Sequence, residues 1–173
     1  GAIGINGIQE KDVVLNVAKE ILKLNETILN NEFDVYLTRY KDTLISLSDR
    51  SRLAKNLKAD VFLSLHCNAA TNFSRGIEVY IHNSDKPNTK KSITIGISVL
   101  NESSKKLGLK KRGMKFANFQ VLRDGDLFSP AILVELGFVT NADEGNYFLK
   151  PKNVKAMALA ILIGVVNYLN MGL

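Results

Sequence analysis

Ala131-Ile132-Leu133-Val134-Glu135-Leu136 is the stretch that decides the fold. A run this short and this apolar predicts a strand covered on both faces, as strands of parallel sheets are. Upstream, residues 60–66 predict a second strand. There Val61, Leu63 and Leu65 point to one face, and Phe62, Ser64 and His66 to the other. Residues 76–82 predict a third, with Ile77, Val79 and Ile81 alternating against Glu78, Tyr80 and His82. Shorter strand candidates fall at 33–38 and 119–122. Between them lie helical periods at 10–29, 44–57 and 88–107, and a last helix at 153–169 closes the chain. Asn30 and Asn31 can end the first helix, because asparagine tolerates the left-handed conformation. Asp42 or Thr43 can cap the second. Strands alternating with helices long enough for crossovers predict an α/β fold, a mostly parallel twisted sheet flanked by helices on both faces.

The 173 residues, 46% of them hydrophobic, suit one domain spanning 1–173. No repeat or composition shift marks a second domain. Lys and Arg number 23 against 17 Asp and Glu, a formal charge of +6. That excess favours an anionic partner without choosing one. The dense stretch Lys105, Lys106, Lys110, Lys111, Arg112 and Lys115 reads either as a solvated helix end followed by a loop or as a patch for anionic polymers. It has no interleaved aromatic residues to stack bases, which argues against specific nucleic-acid binding. The single cysteine, Cys67, excludes an intrachain disulfide. No signal-peptide pattern is present. The apolar run 156–166 is too short to span a bilayer and reads as a buried helix, so no transmembrane segment is expected. Oligomeric state is not legible in the sequence.

Ligands of parallel α/β folds sit outside the carboxyl ends of the strands. His66 ends one predicted strand and is followed by polar Asn68, in a polar segment running from 67 to 75. Glu135 lies near the end of another, where a carboxylate in an apolar run is costly without a proton, a metal or a hydrogen-bonding partner. Glu10 opens the first helix. One imidazole and two carboxylates can bind a metal and activate water, or form a structural polar network; the residue types alone leave both open. A Gly-x-Ser-x-Gly elbow and phosphate-loop glycines are absent. Cys67 adjoins His66 but faces the opposite side of its strand, which predicts a packed, unreactive thiol.

Seven segments in order carry a resemblance. They are Gly7-Ile8-Gln9-Glu10-Lys11-Asp12, Val35-Tyr36-Leu37-Thr38-Arg39, Asp49-Arg50-Ser51-Arg52-Leu53-Ala54-Lys55-Asn56, Ala59-Asp60-Val61-Phe62-Leu63-Ser64-Leu65-His66-Cys67-Asn68-Ala69, Gly76-Ile77-Glu78-Val79-Tyr80, Phe119-Gln120-Val121-Leu122-Arg123, and Pro130-Ala131-Ile132-Leu133-Val134-Glu135-Leu136-Gly137-Phe138-Val139-Thr140-Asn141. The chain resembles the Amidase_3-type catalytic domain of N-acetylmuramoyl-L-alanine amidases, found in cell-wall autolysins, sporulation or germination amidases and phage endolysins. The resemblance implies a zinc-dependent hydrolase of bacterial peptidoglycan, working outside the cell or at the wall. It implies that Glu10 and His66 bind Zn2+ and that Glu135 is the catalytic glutamate. Asn68 is a candidate substrate contact, whereas Arg50 and Asn56 are expected to be structural. The family's remaining zinc ligand is a histidine in a His-Gly-Gly-type loop after the first strand. That loop lies upstream of the segment matched by Gly1-Ala2, so the domain is expected to lack its first strand and that histidine. His82 matches no ligand position. A catalytically incomplete peptidoglycan-binding or basic interaction domain is the alternative.

Overall fold

A computed structural model of the chain describes residues 1–70 and 74–172. Four strands form one sheet: β1 (Phe62–Asn68), β2 (Ile77–Ile81), β3 (Lys111–Phe116) and β4 (Ala131–Phe138). Their order is β1-β4-β2-β3. β1 runs parallel to β4 and β2 parallel to β3, while β2 and β4 are antiparallel. The sheet is therefore mixed and mostly parallel.

The two faces are covered by different helices. On one side lie α1 (Glu10–Leu29), α3 (Pro87–Leu107) and α6 (Pro151–Leu169). Val17, Leu24, Ile95, Val99, Met157 and Ile161 from these helices bury against Ile77, Val79, Ile132 and Val134 of the sheet. α3 meets α6 so closely that a Cβ on Gly164 would come within 2.7 Å of Val99 Cα. The Ser98 hydroxyl donates to the Gly164 carbonyl at 2.7 Å across the same contact. α6 is long and apolar enough to cross a bilayer by length and composition, contrary to the expectation from its central run. It serves here as a core helix between α1 and α3.

On the other face α2 (Leu47–Leu57) and α4 (Gln120–Gly125) enclose a smaller core of Ala54, Phe62, Val121, Leu122, Ala131 and Leu133. That core takes in Phe62 of β1 and Ala131 and Leu133 of β4 but not His66 or Glu135 further along the same strands.

Five expectations need correction. Residues 33–38 form no strand: they have no ladder partner, and the Asn25 side chain holds Phe33 through its carbonyl at 2.8 Å. A pleated sequence becomes a strand only where a neighbour supplies its hydrogen bonds. Residues 119–122 begin α4 instead, because Val121 and Leu122 bury together against Phe62 only on one helical turn. α2 starts at Leu47, not at 44. Ser46 caps it by accepting the Asp49 N–H at 3.1 Å, while Asp42 pairs with Lys11. The predicted loop after Lys110 is the edge strand β3, whose charged residues hide its period. α5 (Ala142–Phe148), capped by Asn141, was not foreseen. Of the polar segment 67–75, residues 71–73 lie outside the described residues.

Candidate active site

The pairing register builds the site. His66 of β1 lies opposite Glu135 of β4, and Glu135 lies opposite Glu78 of β2. All three project on the face that α2 and α4 leave open. Glu10 reaches the same place from the first turn of α1.

Glu10 and His66 are in contact: His66 Nδ1 lies 2.8 Å from Glu10 Oε1. Glu10 also accepts the Ala2 N–H at 2.7 Å and the Cys67 N–H at 3.3 Å. Burial raises its carboxyl pKa, but the imidazole and the two N–H donors outweigh burial and hold it at about 2. The other imidazole nitrogen, Nε2, lies 3.2 Å from Ser64 Oγ.

Glu135 has the opposite environment. Its Oε2 is buried without a hydrogen-bond partner. Burial pushes its pKa up to about 7; His66 pulls against this, while Glu10 and Glu78 add to it. A carboxyl poised near neutrality beside a strongly ionised one is the arrangement in which one group transfers protons and the other holds charge.

Glu78 is a residue the sequence reading passed over. It is only 1% exposed and carries four side-chain partners: Arg112, Lys115, Tyr80 and Asn68. The signal is a carboxylate that alternates with apolar residues on a strand, opposite the Ile77, Val79 and Ile81 face. Asn68 is anchored by this carboxylate, which sets its amide at the edge of the site. Arg112 and Lys115 of the dense basic stretch are thereby tied to Glu78 while staying partly exposed. Arg50 is structural as expected, its Nε donating to the Ile45 carbonyl at 3.2 Å; Asn56 is exposed on α2. Cys67 is buried on the far face, and burial, then the nearby Glu10, Glu135 and Glu144, raise its thiol pKa well above normal.

A carboxylate and an imidazole in contact are donors of the kind zinc takes, and the unpartnered Glu135 oxygen beside them suits a water-activating role. Among the described residues, however, no group of three or more His, Cys, Asp or Glu gathers to hold a metal. The pair fits the ion in kind and would supply two of the three protein ligands that a catalytic zinc takes.

The pattern of the Amidase_3 family, N-acetylmuramoyl-L-alanine amidase, matches residues 1–167, and the chain belongs to this family. Its members are generally zinc-dependent. The endolysin of Bacillus phage SPP1 is 35% identical over 96% of this chain and 60% of its own length. The sporulation-specific N-acetylmuramoyl-L-alanine amidase of Bacillus subtilis is 34% identical over 99% of this chain and 64% of its own. The chain thus spans about 60% of these relatives. Among solved structures, an N-acetylmuramoyl-L-alanine amidase from Clostridium difficile superimposes with a TM-score of 0.87 at 33% identity. The match covers 98% of this chain and 89% of that one.

The two pKa displacements give separate pH signatures in the metal-free protein. Glu135 has a folded pKa of about 7 against an ordinary value of 4.5. The fold therefore binds this proton more tightly than the unfolded chain does. Stability is greatest below pH 4.5 for this group, falls as pH rises towards 7, and is level beyond. The loss is on the order of 3 kcal/mol, for about 2.5 pKa units at 1.36 kcal/mol each. Glu10, depressed to about 2, acts oppositely: its contribution is present above pH 4.5 and is lost only as pH falls towards 2. Denaturant unfolding of chelator-treated protein should show lower stability at pH 8 than at pH 5, and Glu135→Gln should remove most of the difference. An equal pH slope in the two proteins would contradict the assignment.

Proposed function

We propose that this domain hydrolyses the amide between N-acetylmuramic acid and L-alanine in bacterial peptidoglycan. The observation that carries the reading is Glu135: its Oε2 is buried without a hydrogen-bond partner, and it stands on the same rung as His66, which is joined to Glu10. Glu10 and His66 would hold Zn2+, with the third ligand being the histidine that the family pattern places ahead of the segment matched by Gly1-Ala2. Bound zinc supplies a Lewis acid that polarises the amide carbonyl and lowers the pKa of a water molecule.

Glu135 accepts a proton from the attacking water, whose oxygen bonds to the lactyl carbonyl carbon. The C–N bond then breaks, and Glu135 returns the proton to the departing alanine nitrogen. A pKa near 7 lets one carboxyl do both. Asn68, fixed through Glu78, contacts the substrate at the edge of the site. The setting is the outside of the cell or its wall, where a +6 domain would also associate with anionic wall polymers.

The test is metal removal and return. Protein stripped with chelator should release no new L-alanine amino termini from purified walls. Zinc should restore cleavage at about one ion per chain, the stoichiometry of a single catalytic site. Wall binding with no new amino termini at any zinc level would overturn the reading in favour of a binding module.

A further inference from the structure

Glu78 anchors a charge cluster that its own burial does not explain. Its Oε2 accepts from Arg112 Nε and from Lys115 Nζ, each at 2.7 Å. Its Oε1 accepts from the Tyr80 hydroxyl and the Asn68 amide, each at 2.9 Å. A single cation would neutralise a buried carboxylate, and here there are two, so the cluster carries an excess positive charge. The carboxylate is sealed at 1% exposure, whereas the Arg112 and Lys115 side chains are 27% and 42% exposed. The positive excess therefore faces outward. Aromatic rings steady both cations: Arg112 lies 4.9 Å from the Phe138 ring centroid and Lys115 lies 5.5 Å from that of Tyr80. Long side chains already fixed in place lose little entropy when they take a ligand.

The position of this pair sets what it can reach. In the strand order β1-β4-β2-β3, the cations rise from β3 and lean onto β2, while Glu135 stands on β4. Neighbouring strands are about 4.8 Å apart, so the pair lies roughly 5–10 Å from the Glu135 carboxyl. An extended peptide advances about 3.3–3.6 Å per residue, so this distance is roughly one and a half to three residues of a bound chain. A stem peptide cleaved at its first residue would place its second residue beside the cations. A residue there that bears a carboxyl group would present it either free or as a carboxamide, and only the free form carries the charge that the two cations complement.

We propose that Arg112 and Lys115, held by Glu78, form a carboxylate subsite that reads the second residue of the stem peptide and favours stems whose carboxylate there is free. The subsite rests on the amidase reading above and adds a preference to it.

Two muropeptides that differ only in a carboxylate or a carboxamide at this residue test the proposal. Zinc-loaded protein should cleave the free acid with a kcat/KM about 10- to 100-fold higher, the range for a charge-assisted hydrogen bond. The difference should lie in KM. Calorimetric binding to the Glu135→Gln protein should show the same order without turnover. Arg112→Gln and Lys115→Gln should each shrink the preference, and Lys115→Arg should keep it. Thermal unfolding identifies any variant that does not fold, and the wild-type and Lys115→Arg comparisons stand without it. Equal kcat/KM for the two muropeptides in the wild type would overturn the subsite. So would an undiminished preference in folded Arg112→Gln and Lys115→Gln. Cleavage of neither compound, with the free acid still bound more tightly, would sink the amidase reading while supporting the subsite.

Discussion

Glu135→Gln should fold, keep its zinc and lose turnover by about 10²–10⁴-fold, the usual scale for removing a positioned general acid–base group. Glutamine keeps the volume of glutamate but cannot take a proton from water at neutral pH. Oε2 has no hydrogen-bond partner to lose, so the exchange breaks no bond there. It also removes a carboxyl whose ionisation opposes folding above pH 4.5. The variant should therefore be at least as stable as the wild type at pH 8. His66→Ala supplies the contrast: the Glu10 partner disappears, and metal content and activity should fall together. Zinc content, thermal unfolding and amide cleavage measured on the same preparations separate the two roles. Near-normal turnover by folded, zinc-loaded Glu135→Gln would refute the proton-transfer role. Zinc lost along with activity would move Glu135 into the metal's support.

Glu78→Ala should lower stability by about 2–4 kcal/mol. Truncating one partner of a buried ion pair typically costs 3–5 kcal/mol because the other charge is left without compensation. Here the figure is discounted, since Lys115 and to a lesser degree Arg112 can turn towards water. Asn68 and Tyr80 lose an acceptor in the same step. The exposed Arg52–Asp49 pair on α2 sets the lower standard, because breaking a pair of that kind costs at most about 1 kcal/mol. Urea unfolding should show a lower midpoint with an unchanged slope. A loss below that of Asp49→Ala would mean that the cations do not depend on Glu78.

The sequence revealed what apolar periodicity controls and missed what partners control. β4 was legible because Ala131-Ile132-Leu133-Val134 must be covered on both faces, and α1 because its buried residues recur at helical spacing. β3 was not, since Lys111, Arg112 and Lys115 on an edge strand look like any solvated loop. The antiparallel pairing of β2 with β4 was equally hidden, although it alone brings Glu78 beside Glu135. His66, Glu10 and Glu135 were found through strand ends and family motifs, and the structure brings them together.

The shared rung of His66, Glu135 and Glu78 bears on how the domain spends binding energy. In many hydrolases the reacting groups meet only when a loop folds over the substrate, and some affinity is consumed in bringing them together. Here backbone ladder bonds between adjacent strands already set the lateral spacing of the three side chains. Only opening the sheet itself would separate them. In the proposed reaction a substrate reaching this edge would meet these three side chains already spaced, and its contacts could go towards strain at the scissile amide rather than towards bringing them together.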